Sequence, residues 1–266
     1  MLGYDKRGVG GSTGDWKTES FDDLAGDALA AYSYLRTRPD IDRSQIGLLG
    51  LSQAGWVMPL AAVRAQDVAF LISISGGGVS AAETTIDEAR GEMAAAHTPP
   101  GIIDQIVAMM KLQYAYAQTG QGWNEYFAAR AKLVEQMGKE PETIPGTQDD
   151  PYWKTIRALY LYDPEPTLRR LQTPTLALFG ELDDNIVAEK NRAAWESALK
   201  KAGNRDYSLR ILHSADHVML EAKVGNNAEE PTFDHFVRDY FTTVQDWLAT
   251  RIRGFQPRPI GPSPLQ

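Results

Sequence analysis

The stretch Gly47-Leu48-Leu49-Gly50-Leu51-Ser52-Gln53-Ala54-Gly55 constrains this chain more than any other part of it. A short apolar run ends at Gly50, a serine stands two residues on, and a small residue, Ala54, follows two later. Gly55 then opens a helical pattern through Met58 and Leu60 to Val63. Small residues flanking a serine at this spacing permit a sharp strand-to-helix turn. Gly50 and Ala54 must approach each other, and the turn lifts the hydroxyl clear of a sheet edge. The following helix aims its N-terminus, with the backbone N–H of Gln53, at the place where a developing oxyanion needs a donor. A plain structural turn would use the same small residues, so the weight of the motif depends on what else reaches that edge.

Other short apolar runs are Ile46–Gly50 itself, 69–75, Thr175–Phe179 after Pro174, and Tyr207–Leu212. Helical spacing fills the gaps between them. Phe21, Leu24, Ala28, Ala31 and Leu35 share a stripe behind Ser20, a plausible N-cap, while Ala188–Ala202 and 233–252 are likewise helical. Strands alternating with helices predict an α/β fold with a mostly parallel sheet flanked by helices. Thr175–Phe179 leads into Gly180-Glu181-Leu182-Asp183-Asp184, and Tyr207–Leu212 leads into His213-Ser214-Ala215-Asp216-His217. Ligands of open α/β sheets bind beyond the carboxyl ends of the strands, so serine, acid and histidine are expected at one edge. Asp183 is favoured over Asp184 as the third residue after Gly180, with Glu181 a lesser contender. His217 is favoured over His213, whose direction depends on strand register. His97 and His235 fall on helical segments and read as surface or packing residues.

The interval 80–173 breaks the alternation. It has no convincing strand, but Ile103, Ile106, Val107, Met110 and Tyr114 form one helical stripe and Trp123, Phe127, Val134 and Met137 another. Taken singly, these residues read as helix-packing core. An insertion this long exceeds an ordinary connection and can cover an active site. The expected organisation is a core of 1–79 and 174–252, a helical insertion over 80–173, and a Pro-rich tail over 253–266.

Composition removes several alternatives. A formal net charge of −8 argues against a mainly electrostatic nucleic-acid partner. With no cysteine there is no disulfide, cysteine nucleophile or thiolate metal site, and no HExxH pattern replaces it. No run approaches 18 apolar residues and no export signal follows Met1, so the expectation is a chain off the membrane and, as written, cytoplasmic. The loop Asp5-Lys6-Arg7-Gly8-Val9-Gly10-Gly11-Ser12-Thr13-Gly14 fails both phosphate-binding spacings: Lys6 precedes its glycines, and position 13 is threonine. A glycine-rich turn is the better account, and no metal or organic cofactor is expected.

With these residues assembled, the chain resembles the α/β-hydrolase superfamily, and within it the bacterial esterase and serine-aminopeptidase-like group. The resemblance rests on Tyr4–Gly10 with Gly14, on Ile46–Trp56, and on Gly180–Asp183 with Asp216-His217, and extends over residues 2–252. It implies a catalytic triad of Ser52, Asp183 and His217, an oxyanion donor at Gln53 N–H, and the insertion 80–173 as a cap. The implied activity is a serine hydrolase, most simply a carboxylesterase acting on small to medium acyl esters, with peptide, amide or thioester cleavage using the same groups. Relatives often carry His in place of Leu51 and Gly in place of Ala54, so the elbow here is tighter by one methyl. In the family the YDKRG-like segment follows a fourth strand, here expected over Leu2–Asp5, with three strands before it. On that ground the chain reads as an N-terminally truncated fragment. The alternative reading is an inactive or binding-only remnant whose exposed sheet edge recruits another chain, a second copy included.

Overall fold

The computed structural model describes residues 1–138, 144–225, 229 and 235–257. It divides into two compact units: residues 1–4, 22–79 and 164–266, and residues 5–21 and 80–163. The first holds a sheet of four strands, β1 (Leu48–Leu51), β2 (Leu71–Ile74), β3 (Thr175–Gly180) and β4 (Tyr207–Leu212), in that spatial order. Every neighbouring pair is parallel, with Gly50 beside Ser73, Ser73 beside Ala177 and Ala177 beside Leu209. The four carboxyl ends therefore share one edge.

Helices cover both faces, which is why β2 and β3 are apolar and buried throughout. Side chains alternate across a strand. Ala177 and Phe179 pack with residues from α1 (Phe21–Thr37), α2 (Ala54–Arg64), α7 (Glu165–Leu168) and α8 (Ala188–Ala202), among them Tyr32, Met58, Leu168 and Trp195. Leu176 and Leu178 face the other way, onto Met219, Val237 and Trp247 of the region around α9 (Arg238–Ala249). Each fully buried Leu or Phe contributes about 1.5–3 kcal/mol relative to exposure, so this two-sided core holds the sheet edge rigid.

The second unit is helical: α3 (Ala81–Ala95), α4 (Pro100–Thr119), α5 (Trp123–Met137), and α6 (Tyr152–Thr155) running into a π-helical turn, Ile156–Tyr160. Its core centres on Trp153, whose ring meets Tyr116 edge-on at 4.9 Å and Tyr126 at 5.4 Å. Buried polar tips find backbone acceptors: Tyr126 Oη donates to Pro145 O at 2.7 Å and Trp153 Nε1 to Thr147 O at 2.8 Å. In the glycine-rich loop, Gly11 N donates to Asp5 Oδ2 at 2.9 Å, so the chain's own carboxylate occupies the turn.

Several expectations change. The strand expected over Leu2–Asp5 is not formed; Leu2 and Tyr4 are exposed and unpaired with the sheet. Residues 5–21 group with the helical unit, and the units divide after Asp163, not after residue 173. The last helix is Arg238–Ala249; Phe233 lies outside the described residues, as do Pro141, Pro259, Pro262 and Pro264.

Candidate active site

Ser52 directly follows β1 with φ = +54°, a left-handed conformation that non-glycine residues adopt rarely and at a cost of about 1–3 kcal/mol. Its N–H donates to Ile74 O at 2.8 Å and its carbonyl accepts from Gly55 N at 2.8 Å, so the strand ladder and the first turn of α2 clamp it from both sides. The strain is held in place by close packing. A Cβ on Gly50 would lie 2.3 Å from the Ala54 Cβ, and one on Gly55 2.4 Å from the Gly76 Cα. Gln53 takes the N-cap position of α2 in αR geometry, beside the serine at the positive end of the helix.

At the other strand ends, two loops are laced together. Glu181 N donates to Leu212 O at 3.0 Å, Leu182 N to Ala215 O at 2.8 Å, and Ser214 N to Glu181 Oε2 at 2.9 Å. Gly180 lets the two backbones touch, since a Cβ there would fall 2.2 Å from Asp216 O. Asp183 then folds over its own loop, its Oδ1 accepting from Asn185 N at 2.9 Å and Ile186 N at 2.8 Å. Both of its oxygens reach His217 Nδ1, at 3.0 and 2.9 Å. The Asp183 side chain has no solvent exposure and that of His217 is 18% exposed. A buried carboxylate at this distance favours the tautomer with Nδ1 protonated.

The histidine loop has an organiser that sequence reasoning passed over. Asp216, the residue before His217, is buried, and its Oδ1 accepts from Val218 N at 3.0 Å and Leu220 N at 2.7 Å. Burial pushes its carboxyl above the usual range, aided by the Asp183 charge and opposed by those two backbone donors. Met219, at φ = +71° and fully buried, completes the tight turn. An Asp able to accept from the backbone N–H two residues on is the local signal for such a turn.

The structure thus joins Asp183 to His217, while the Ser52 hydroxyl makes no hydrogen bond to a described residue, His217 included. Ser52 stands at the same carboxyl edge of the sheet, on β1, with Asp183 after β3 and His217 after β4. His213 instead pairs with Glu181 at 2.5 Å on the surface, His235 with Glu221 at 2.8 Å, and His97 is exposed just past α3. Among the described residues no three His, Asp or Glu gather as a metal would need, and no helix is long and apolar enough to cross a membrane. A cavity of about 500 Å³ beside α9, lined by Arg210, Asp239 and Trp247 among others, includes none of Ser52, Asp183 and His217.

Residues 1–219 match the family model described as X-Pro dipeptidyl-peptidase (S15 family). No curated protein matches the sequence. Among solved structures, the chain is similar to Est1E from Butyrivibrio proteoclasticus, at 16% identity and a TM-score of 0.52, over 93% of this chain and 75% of that one. It is similar to the alpha/beta hydrolase GrgF from Penicillium sp. sh18, at 17% identity and a TM-score of 0.50, over 93% and 78%. Dipeptidyl peptidase 4 of Porphyromonas gingivalis aligns at 14% identity and a TM-score of 0.49 over 88% of this chain, which spans only 24% of that protein. At these identities the likeness to Est1E and GrgF establishes the fold, an α/β-hydrolase sheet.

Proposed function

The chain belongs to the X-Pro dipeptidyl-peptidase (S15) family of α/β hydrolases, and from that premise we propose that it is a serine hydrolase cleaving small to medium acyl esters through an acyl-enzyme on Ser52. The observation that carries this reading is the strained Ser52 at the end of β1, on the same sheet edge as a histidine whose Nδ1 is already held by a buried carboxylate.

In this reading Ser52 Oγ attacks the ester carbonyl while His217 Nε2 takes its proton. Asp183 keeps the ring in the tautomer with Nε2 unprotonated and stabilises the imidazolium that forms. The backbone N–H of Gln53, at the N-terminus of α2, supports the tetrahedral oxyanion. The imidazolium protonates the departing alcohol, and water, activated by the same nitrogen, cleaves the acyl-enzyme. In this reading the Ser52–His217 hydrogen bond closes in the substrate complex, where catalytic hydrogen bonds tighten.

The family's description favours a second reading, release of an X-Pro dipeptide by the same acyl chemistry with an amine leaving group. Wild type and Ser52→Ala assayed on p-nitrophenyl butyrate and on Gly-Pro-p-nitroanilide separate the cases. Ester turnover that vanishes in Ser52→Ala supports the first reading. Anilide turnover that dominates and vanishes likewise supports the second. Equal rates for the two proteins on both substrates contradict both.

A further inference from the structure

The helical unit contains a pocket of about 220 Å³ whose walls come wholly from that unit. Ile106 and Met110 of α4 supply one side, and Tyr114, Tyr152 and Tyr160 bring three phenols to it; Ser52, Asp183 and His217 are not among its lining. No acidic or basic side chain lines it either. A charged ligand would go uncompensated there, whereas a neutral one with a single polar atom would not. Burial pushes the Tyr114 and Tyr152 hydroxyls above their usual range, so both stay protonated at neutral pH.

Two further observations point to a ligand. Tyr152 Oη and Tyr160 Oη lie 3.4 Å apart, well beyond the ~2.7–2.8 Å of a good O–H···O bond, so the pair retains capacity to accept and donate. Tyr160 also ends the π-helical turn Ile156–Tyr160, closed by Leu161 N donating to Ile156 O at 3.2 Å. Such turns interrupt the regular helix ladder and occur disproportionately where a helix builds a site. The size is informative: an apolar cavity of about 150 Å³ accommodates benzene, so this one admits a single ring with one or two small substituents. Met110 adds a side chain able to adjust to the ring's outline.

We propose that this pocket binds a neutral single-ring phenol or aryl alcohol, its oxygen bridging the Tyr152 and Tyr160 hydroxyls and its ring lying against Ile106 and Met110. None of Ser52, Asp183 and His217 lines this pocket, and its test keeps this proposal apart from the acyl chemistry proposed for Ser52.

The test is calorimetric titration of the full chain with p-cresol at neutral pH, alongside benzoate, similar in size but charged. Saturable one-to-one binding of p-cresol is expected for wild type and, unchanged, for Ser52→Ala. Benzoate binds at least about tenfold more weakly. Tyr160→Phe, which removes one hydroxyl and little else, lowers p-cresol affinity about 3- to 10-fold. Ile106→Trp or Met110→Trp, filling the pocket, abolishes binding with the helical circular-dichroism signal intact. If either tryptophan variant fails to fold, the other and Tyr160→Phe decide. No saturable binding to wild type up to about 5 mM p-cresol, equal affinity for benzoate, or binding indifferent to Tyr160→Phe and to a folded tryptophan variant overturns the proposal.

Discussion

Asp183 holds His217 Nδ1 with both carboxylate oxygens, at 3.0 and 2.9 Å, from a position with no solvent exposure of its own. Two backbone donors, Asn185 N and Ile186 N, already bind the same Oδ1, so the carboxylate cannot swing away from the ring without breaking its own loop. Asp183→Asn keeps an acceptor for those donors but presents an N–H to the imidazole. We expect a folded protein of near-normal Tm whose kcat falls by about 10⁴-fold, because the wrong tautomer is then favoured. Steady-state kinetics with a melting curve on the same sample checks both halves.

The two histidines after β4 should behave oppositely. His213 is exposed and pairs with Glu181 at the surface, where solvent screening leaves such a contact little weight. His213→Ala is expected to retain activity within about twofold of wild type, whereas His217→Ala loses at least about 10³-fold. Parallel kcat/KM measurements decide it, and comparable losses in both variants contradict the assignment of the base.

Gly50 leaves the elbow little tolerance. Adding one methyl there places it 2.3 Å from the Ala54 Cβ, on two short segments that cannot swing apart without moving Ser52. Gly50→Ala should cost about 1–3 kcal/mol and depress activity even in the folded fraction. Ala54→Gly in the same background should recover part of both, a rescue readable from denaturant midpoints.

Asp216 links stability to pH. Burial raises its carboxyl in the folded state, so the folded chain holds this proton more tightly than the unfolded chain. For a raised acid, the favourable contribution is present below the unfolded value and is lost as pH climbs through the folded one. Asp216→Asn, which keeps an acceptor for Val218 N and Leu220 N, should therefore gain stability relative to wild type as pH rises from about 4 towards neutrality. Asp216→Ala leaves those donors unpaired and should cost about 1–3 kcal/mol at any pH. Melting temperatures of the three proteins across that range provide the check.

The parts of this molecule legible in sequence are those fixed by local pattern. The four apolar runs became strands within two residues of their expected ends; β2 and β3 are buried throughout, while β1, at the end of the described sheet, leaves Leu49 and Leu51 exposed. Ser52, Asp183 and His217 are expected at one edge because each follows a strand, and the structure places all three past strand ends there and joins Asp183 to His217. What failed depended on partners distant in sequence. Leu2–Asp5 is expected as a strand only from the family resemblance, but a strand exists only through its ladder, and these residues pair with no neighbour in the described sheet. The ladder bonds Ala69 N to Ile46 O and Leu48 N to Phe70 O continue past the assigned strands, which is why Ile46 looked like strand and is not. The grouping of residues 5–21 with the helical unit rests on contacts such as Phe21 with Tyr162, invisible to periodicity. The π-helical turn at Ile156–Tyr160 likewise differs from an α-turn by one residue of register, which no side-chain spacing announces.

The proposed chemistry requires the hydroxyl of Ser52 to be the activated nucleophile. Treating the intact protein with a fluorophosphonate and locating the adduct by peptide mass spectrometry measures this directly. One adduct on Ser52 in wild type, slowed strongly in His217→Ala and absent in Ser52→Ala, is the expected result. A folded wild type that takes up no label, or takes it up on another residue at the same rate in all three proteins, contradicts it.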